Sequence, residues 1–139
     1  MPETFVLDCS VAAKWILPEA DRAAALRIFE RYAAGEISLI APDLLLAEFA
    51  SLLARRSRRK EVSPAQSREA FDLMIQVAPR LFETRPRLVR ALDLSLRLQL
   101  SLWDCVYVAL AMEHDCPLLT ADRRLFRGGS RHVAFQLVQ

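Results

Sequence analysis

The stretch SLWDCVYVALAMEHDCPLLTADRRLF, residues 101–126, is apolar for most of its length, yet it carries an acid near each end. Its first half reads as a buried helix, PLLT (117–120) reads as a short strand, and a short helix follows. Asp104 stands at the head of the first helix and Asp122 two residues beyond the strand. Each has a local explanation. Ser101-Leu102-Trp103-Asp104 fits the S-x-x-D pattern of a capping box, and Asp122 can cap a helix that begins at Arg123.

Working outward, residues 4–7 (TFVL) form a β-rich run stopped by Asp8. SVAAKWIL predicts a short helix with Ser10 as N-cap and Pro18 as terminator. EADRAAALRIFERYAAG is an amphipathic helix with Ala25, Ile28, Phe29 and Tyr32 on its apolar face and Gly35 at the C′ position. ISLIA is a second strand, and Pro42 is expected to open a helix over DLLLAEFASLLARRSRR that loses its apolar pattern after Ala54. SPAQSREAFDLMIQVA restarts a helix at Ser63, with Pro64 as its first residue. PRLFETRP is a connection with room for a short strand, RLVRALDLSLRLQ is helical, and HVAFQLV alternates as an edge strand does. Strands separated by helices imply right-handed crossovers and a mostly parallel sheet covered on both faces. The expectation is one α/β/α domain over residues 1–139.

Composition bounds the function. With 139 residues, 53% hydrophobic and 26% charged, the chain has the make-up of a soluble globular protein. Cys9, Cys105 and Cys116 share no C-x-x-C spacing and read as small core residues in a reducing compartment. The N-terminus MPETFVLD lacks a basic region, and no apolar run reaches the roughly 18 residues that span a bilayer, so a cytoplasmic protein without a membrane is expected. Net charge is only +2, but of 19 cationic residues all except Lys14 and Lys60 are arginine. Arginine suits bidentate phosphate contact; a genome rich in G and C gives the same bias with no function attached.

In an open parallel sheet, functional groups collect beyond the carboxyl ends of the strands. Asp8 and Asp122 both follow strands, so parallel pairing puts both on one rim. Asp8 has its own bland alternative, satisfying amides of the turn into Ser10. Glu48 is harder to explain locally. Leu44, Leu45, Ser51 and Leu52 place it on or beside the apolar face of its helix, where an ionised carboxylate costs several kcal/mol unless a cation answers it. The remaining alternatives are an arginine partner or a side chain that snorkels out at the helix edge. Four carboxylates converging without matched cations would repel one another. A bound divalent ion resolves that repulsion, and an all-oxygen set favours Mg²⁺ or Mn²⁺ over zinc.

FVLDCSVAAKW, APDLLLAEFASLL, LSLWDCVYVALA and PLLTADRRL resemble the four successive acidic motifs of PIN domains, and within that family the VapC-type toxins of toxin–antitoxin pairs. The likeness covers nearly the whole chain. It implies a five-stranded parallel sheet, a Mg²⁺- or Mn²⁺-dependent endoribonuclease that hydrolyses RNA phosphodiester bonds, frequent homodimerisation, and inhibition by a small antitoxin filling the active groove. Carried over motif by motif, the catalytic and metal-binding acids are Asp8, Glu48, Asp104 and Asp122, with Ser10 and Thr120 as supporting hydroxyls. Ser51 stands where many relatives have Asn, and Cys105 where Ala is common.

ARRSRRKE (54–61) places five cations at the end of the Glu48 helix. They read either as a solvated helix end that complements the macrodipole, or as a track for the RNA backbone or an acidic antitoxin. Lys14, Arg55, Arg56, Arg58, Arg59, Arg123 and Arg124 are the candidate contacts; Arg127 and Arg131 flank them. Trp15, Trp103 and Tyr107 are expected in the core or a dimer interface, and His114 and His132 at the surface. A phosphorelay receiver needs a late lysine, a haloacid-type phosphatase needs D-x-D after the first strand, and nucleotide loops need glycines beyond Gly35, Gly128 and Gly129. The rival from another class is a solitary or non-catalytic PIN module that binds RNA or protein without cutting.

Overall fold

The structure, a computed structural model, describes residues 1–131 and 133–139. Five strands form one sheet in the order β3-β2-β1-β4-β5, and every pairing is parallel. The strands are β1 (Glu3–Leu7), β2 (Ile37–Pro42), β3 (Arg80–Phe82), β4 (Leu118–Thr120) and β5 (Phe135–Leu137). The helices are α1 (Cys9–Ile16), α2 (Ala23–Ala33), α3 (Leu44–Arg58), α4 (Pro64–Val77), α5 (Leu88–Leu98), α6 (Leu102–His114) and α7 (Arg123–Gly129). The chain steps outward from β1 to β2 and β3, then returns past β1 to β4 and β5. Right-handed crossovers therefore put α1–α4 on one face and α5–α7 on the other. The contacts agree: α1 touches α2, α3 and α4, whereas α6 packs on α5 and the central strands.

The stretch that began the reading supplies the middle of this architecture. Cys105 to Ala111 of α6 are all buried, and β1 and β4 pair at the centre through Val6–Leu118 and Leu7–Leu119. At roughly 25 cal/mol per Å² of apolar surface removed from water, such a helix is held by packing more than by its own propensity. No single helix among the described residues is long and apolar enough to cross a membrane.

Two expected boundaries differ. Pro42 ends β2 instead of opening a helix, pairing with Phe82, and α3 begins at Leu44. A proline at a strand end leaves no unmet donor, and the first-turn amide of Leu44 is answered from elsewhere, by Thr84 Oγ1 at 3.1 Å. Ser10 is not the N-cap of α1; that position falls to Asp8, which makes no side-chain capping bond, and Ser10 lies inside the helix. Trp15 is core, stacked on Tyr32 and tilted against Phe29. His114 is exposed as expected; His132 lies outside the described residues. The expected cap of α4 is complete. Ser63 Oγ accepts from the Gln66 amide at 3.0 Å, and Gln66 Oε1 accepts from the Ser63 amide at 2.8 Å. Ser63→Ala should cost about 1 kcal/mol, read as a melting temperature lower by about 3–5 °C, with no change in any property of the cleft described next.

Candidate active site

The rim between β1 and β4 is where the sheet's order reverses, the place where an open parallel sheet leaves a crevice. Asp8 leaves the end of β1 there. It is buried, at 6% exposure, beside a fully buried Thr120. Two hydroxyls converge on one of its oxygens: Ser10 Oγ donates to Asp8 Oδ2 at 2.5 Å and Thr120 Oγ1 donates to the same atom at 2.8 Å. Each hydroxyl also accepts an amide from the strand-to-helix turn, Ser10 from Ala121 at 2.9 Å and Thr120 from Asp122 at 3.0 Å. The supporting role expected of Ser10 and Thr120 therefore has a definite form. Burial pushes the Asp8 carboxyl up to about 6, against the pull of those hydrogen bonds, and the nearby charges of Asp104 and Asp122 push the same way.

Glu48, one turn into α3, is half-buried, and its Oε1 accepts a 2.7 Å bond from the hydroxyl of Tyr107 on α6. Its hydrogen-bond partner is a buried phenol from the opening stretch, and the charge of Arg55 on the same helix also favours its ionised form. Burial pushes Glu48 up to about 7, with Asp8 and Asp104 adding to the rise. Asp104 sits in the first turn of α6, where Ser101 caps the helix by accepting the Asp104 amide at 3.1 Å. Burial raises the Asp104 carboxyl, and the charge of Asp122 raises it further. Asp122 does cap α7, with Oδ1 accepting from the amides of Arg124 at 2.9 Å and Leu125 at 3.2 Å. The expected cap at Asp122 is present, whereas at Asp104 only the Ser101 half of the capping box forms.

All four acids line one cleft of about 780 Å³. They are brought together but not drawn tight: among the described residues, no three acidic, His or Cys side chains form a ready-made metal cage. The spacing has a physical cause. Asp122 is turned toward the α7 amides and Glu48 toward Tyr107, and like charges resist closer approach. The donor set still fits a hard divalent ion. It is all oxygen, and its carboxylates, raised first by burial, raise one another further.

The cations divide into two groups. Arg55 lies two turns beyond Glu48 on α3 and lines the cleft, as does Lys14, one turn beyond Ser10 on α1. Arg56 turns aside to Glu19 and Glu61. Arg58, Arg59, Arg123 and Arg124 are exposed outside the cleft's lining. Trp103 is not in the core, the first of its two expected places. It is 51% exposed at the head of α6 and forms part of the cleft wall. The sequence reading missed Tyr107 as a polar partner and Glu19 as a cleft residue. Neither leaves a local pattern, because their contacts join residues 59 and 37 positions apart.

A five-stranded parallel sheet with four acids at its switch point defines the class of protein, and the PIN-domain family model matches residues 5–129. The chain belongs to the PIN-domain family. It is 39% identical to Ribonuclease VapC1 of Mycobacterium tuberculosis over 85 residues, covering 61% of this chain and 63% of that protein's length. It is 35% identical to Ribonuclease VapC9 of the same organism over 99 residues, 70% of this chain and 75% of the relative. Among solved structures, the fold is shared with VapBC2 from Rickettsia felis bound to a DNA fragment from their promoter. The TM-score is 0.73 at 12% identity, covering 98% of this chain and 99% of that one. PAE2754 from Pyrobaculum aerophilum gives a TM-score of 0.70 at 18% identity, covering 97% and 92%.

The raised carboxyls make the metal-free fold sensitive to pH. Asp8 and Glu48 hold their protons more tightly folded than unfolded, so the native state binds more protons between about 4 and 7 and loses stability as pH rises through that window. Asp8→Asn removes one of these groups. Melting curves in EDTA should show the variant gaining on wild type as pH climbs from about 4 to above 6; a constant difference would mean that Asp8 is not held in its neutral form.

Proposed function

We propose that this PIN-domain protein is a Mg²⁺- or Mn²⁺-dependent endoribonuclease, the toxin of a VapBC-type toxin–antitoxin pair, acting as one PIN-like unit over residues 1–139 in the cytoplasm. The observation that carries the reading is the cleft at the β1–β4 rim, where four carboxylates line one space and, among the described residues, none of them is in a salt bridge. The names of the sequence relatives, VapC ribonucleases, point the same way.

Asp8, Glu48, Asp104 and Asp122 would hold the ion. When bound, it supplies a bound water of lowered pKa and positive charge against the phosphate. The chain's own part is to prepare for it. Ser10 and Thr120 pin one oxygen of Asp8, so the carboxylate cannot turn away. Tyr107 holds Glu48 at the other wall. With carboxyls raised to about 6 and about 7, Asp8 and Glu48 give up protons as the cleft loads, so loading weakens as pH falls. Lys14, Arg55, Arg56, Arg58, Arg59, Arg123 and Arg124 would grip the RNA backbone, or the acidic side of a small cognate antitoxin. VapBC2, the similar structure from Rickettsia felis, supports that second partner. A homodimer is supported by the face of α5, where Leu88, Val89, Leu92 and Leu96 are exposed in helical register.

The direct test is cleavage of single-stranded RNA. Activity should require Mg²⁺ or Mn²⁺, vanish in EDTA, and fall by at least a hundredfold in Asp104→Asn and Glu48→Gln, on the scale of removing one group that stabilises developing charge. Undiminished cleavage in chelator would end the metal reading. Binding offers an independent check: Mn²⁺ at a hundredfold excess over Kd should stabilise wild type by about 2.7 kcal/mol and Asp8→Asn far less. Replacing Arg55, Arg58 and Arg59 together with Gln should flatten the salt dependence of RNA binding, because fewer counterions are released. An unchanged slope would leave them as a solvated helix end.

A further inference from the structure

Glu19 stands where the acids' cleft meets its cations, and the proposed chemistry makes no use of it. It lies just past Pro18 in the connection between α1 and α2 and lines the same cleft as Asp8 and Glu48. Its carboxylate is shared between two cations from different helices. Oε2 is 3.6 Å from Lys14 Nζ on α1, and Oε1 is 2.5 Å from Arg56 Nη2 on α3. These side chains are largely withdrawn from water, at 17% exposure for Lys14, 24% for Arg56 and 25% for Glu19. Arg56 Nε is also 3.9 Å from Glu61 Oε2, so two cations and two carboxylates meet at the edge of a cleft whose other end is acidic.

We propose that Lys14 and Arg56 form a seat for a backbone phosphate of the RNA and that Glu19 is its placeholder, filling the seat until the strand arrives. The inference rests on the ribonuclease reading above. A phosphodiester matches the carboxylate it replaces in charge and in its pair of anionic oxygens, which the arginine fork and the lysine ammonium both accept. The exchange conserves charge: one monoanion enters, and the freed Glu19 side chain turns to water. The competing role is a strut that fastens the α1–α2 connection to α3, whereas the corner between α1 and α2 has fastenings of its own. Arg22 donates from Nε to the Lys14 carbonyl at 3.1 Å and from Nη2 to the Trp15 carbonyl at 2.9 Å. Trp15 Nε1 donates to the Ala25 carbonyl at 2.9 Å, closing the same corner from inside. With the corner fixed twice over, Glu19 is free to leave without unravelling it. The seat also has the right position. Lys14 is one turn along α1 from Ser10, so a phosphate held there lies beside the acids and not on them.

The experiment measures binding without cleavage, using a short fluorescein-labelled single-stranded RNA, EDTA throughout, and polarisation read over a range of salt. Glu19→Gln keeps the shape but not the charge, and should bind RNA up to about fivefold more tightly, the worth of one relieved ion pair. Its salt slope should steepen by about 0.7, the value for one further single-strand phosphate neutralised. Lys14→Gln and Arg56→Gln should each weaken binding and flatten the slope. Equal or weaker binding by Glu19→Gln overturns the seat, and so does a variant that fails to fold, since either makes Glu19 a strut. A gain seen with oligoglutamate and not with RNA gives the seat to an acidic polypeptide and overturns it as a phosphate site. If folded wild type binds no RNA in EDTA, the seat falls, while the ribonuclease reading is decided separately by the Mg²⁺-dependent cleavage assay. If wild type binds and Glu19→Gln gains nothing, the seat alone is lost.

Discussion

The pair of hydroxyls on Asp8 Oδ2 is the join on which the rest of the site depends. Ser10 comes from α1 and Thr120 from β4, so one oxygen ties the end of β1 to the start of its own crossover and to the neighbouring strand. The same hydroxyls accept the amides of Ala121 and Asp122, so the turn that carries the last acid is placed by the groups that hold the first. A carboxylate at 6% exposure is tolerable only because these bonds replace water. Thr120, fully buried, meets the same condition with its single hydroxyl, which donates one bond and accepts another.

Asp8, Glu48 and Asp122 have structural duties as well, and among the described residues the cleft holds no ready-made cage. Asp122 caps α7 through one oxygen, Glu48 answers a buried phenol, and Asp104 sits in a capped first turn. These duties hold the carboxylates apart at a separation the metal-free fold can bear. The strain that remains appears as raised carboxyls at Asp8, Glu48 and Asp104, with burial as the leading cause in every case. A site built this way has affinity for positive charge without being shaped by it beforehand. Removing a single acid should therefore relieve the empty fold while harming the loaded one.

Much of this was legible because local pattern and global fold agree. The order of strands and helices, the buried character of Cys105 to Ala111 and the rim placement of Asp8 and Asp122 follow from periodicity and from the rule for parallel crossovers. Misreadings came where a residue's role is decided across the chain. Ser10 has the chemistry of a cap and stands at the right spacing, but its hydroxyl is claimed by Asp8 and Ala121. Pro42 has the chemistry of a helix opener, but its strand continues through it to pair with Phe82. Tyr107 looks like core and is core; only the fold shows that its hydroxyl reaches Glu48. Trp103 has the same apolar character as its helix, but an N-terminal position puts it on the cleft wall.

A net charge of +2 conceals a division that the fold makes explicit. Along α1 the cleft passes from Asp8 at the N-cap to Lys14 nearly two turns further on, and along α3 from Glu48 to Arg55 two turns further on. Both helices therefore present their acids toward one end of the cleft and their cations toward the other. A polyanion approaching such a surface is drawn to the basic end and repelled from the acidic one until a cation occupies it. In the proposed ribonuclease, binding and reaction would thereby be separated in space within one cleft, so that charge on α3 beyond Arg55 would tune how tightly a strand is held without touching the carboxylates. The constraint also runs the other way: any acid added near Lys14 would compete with the strand for the same cations, and Glu19 is already placed there.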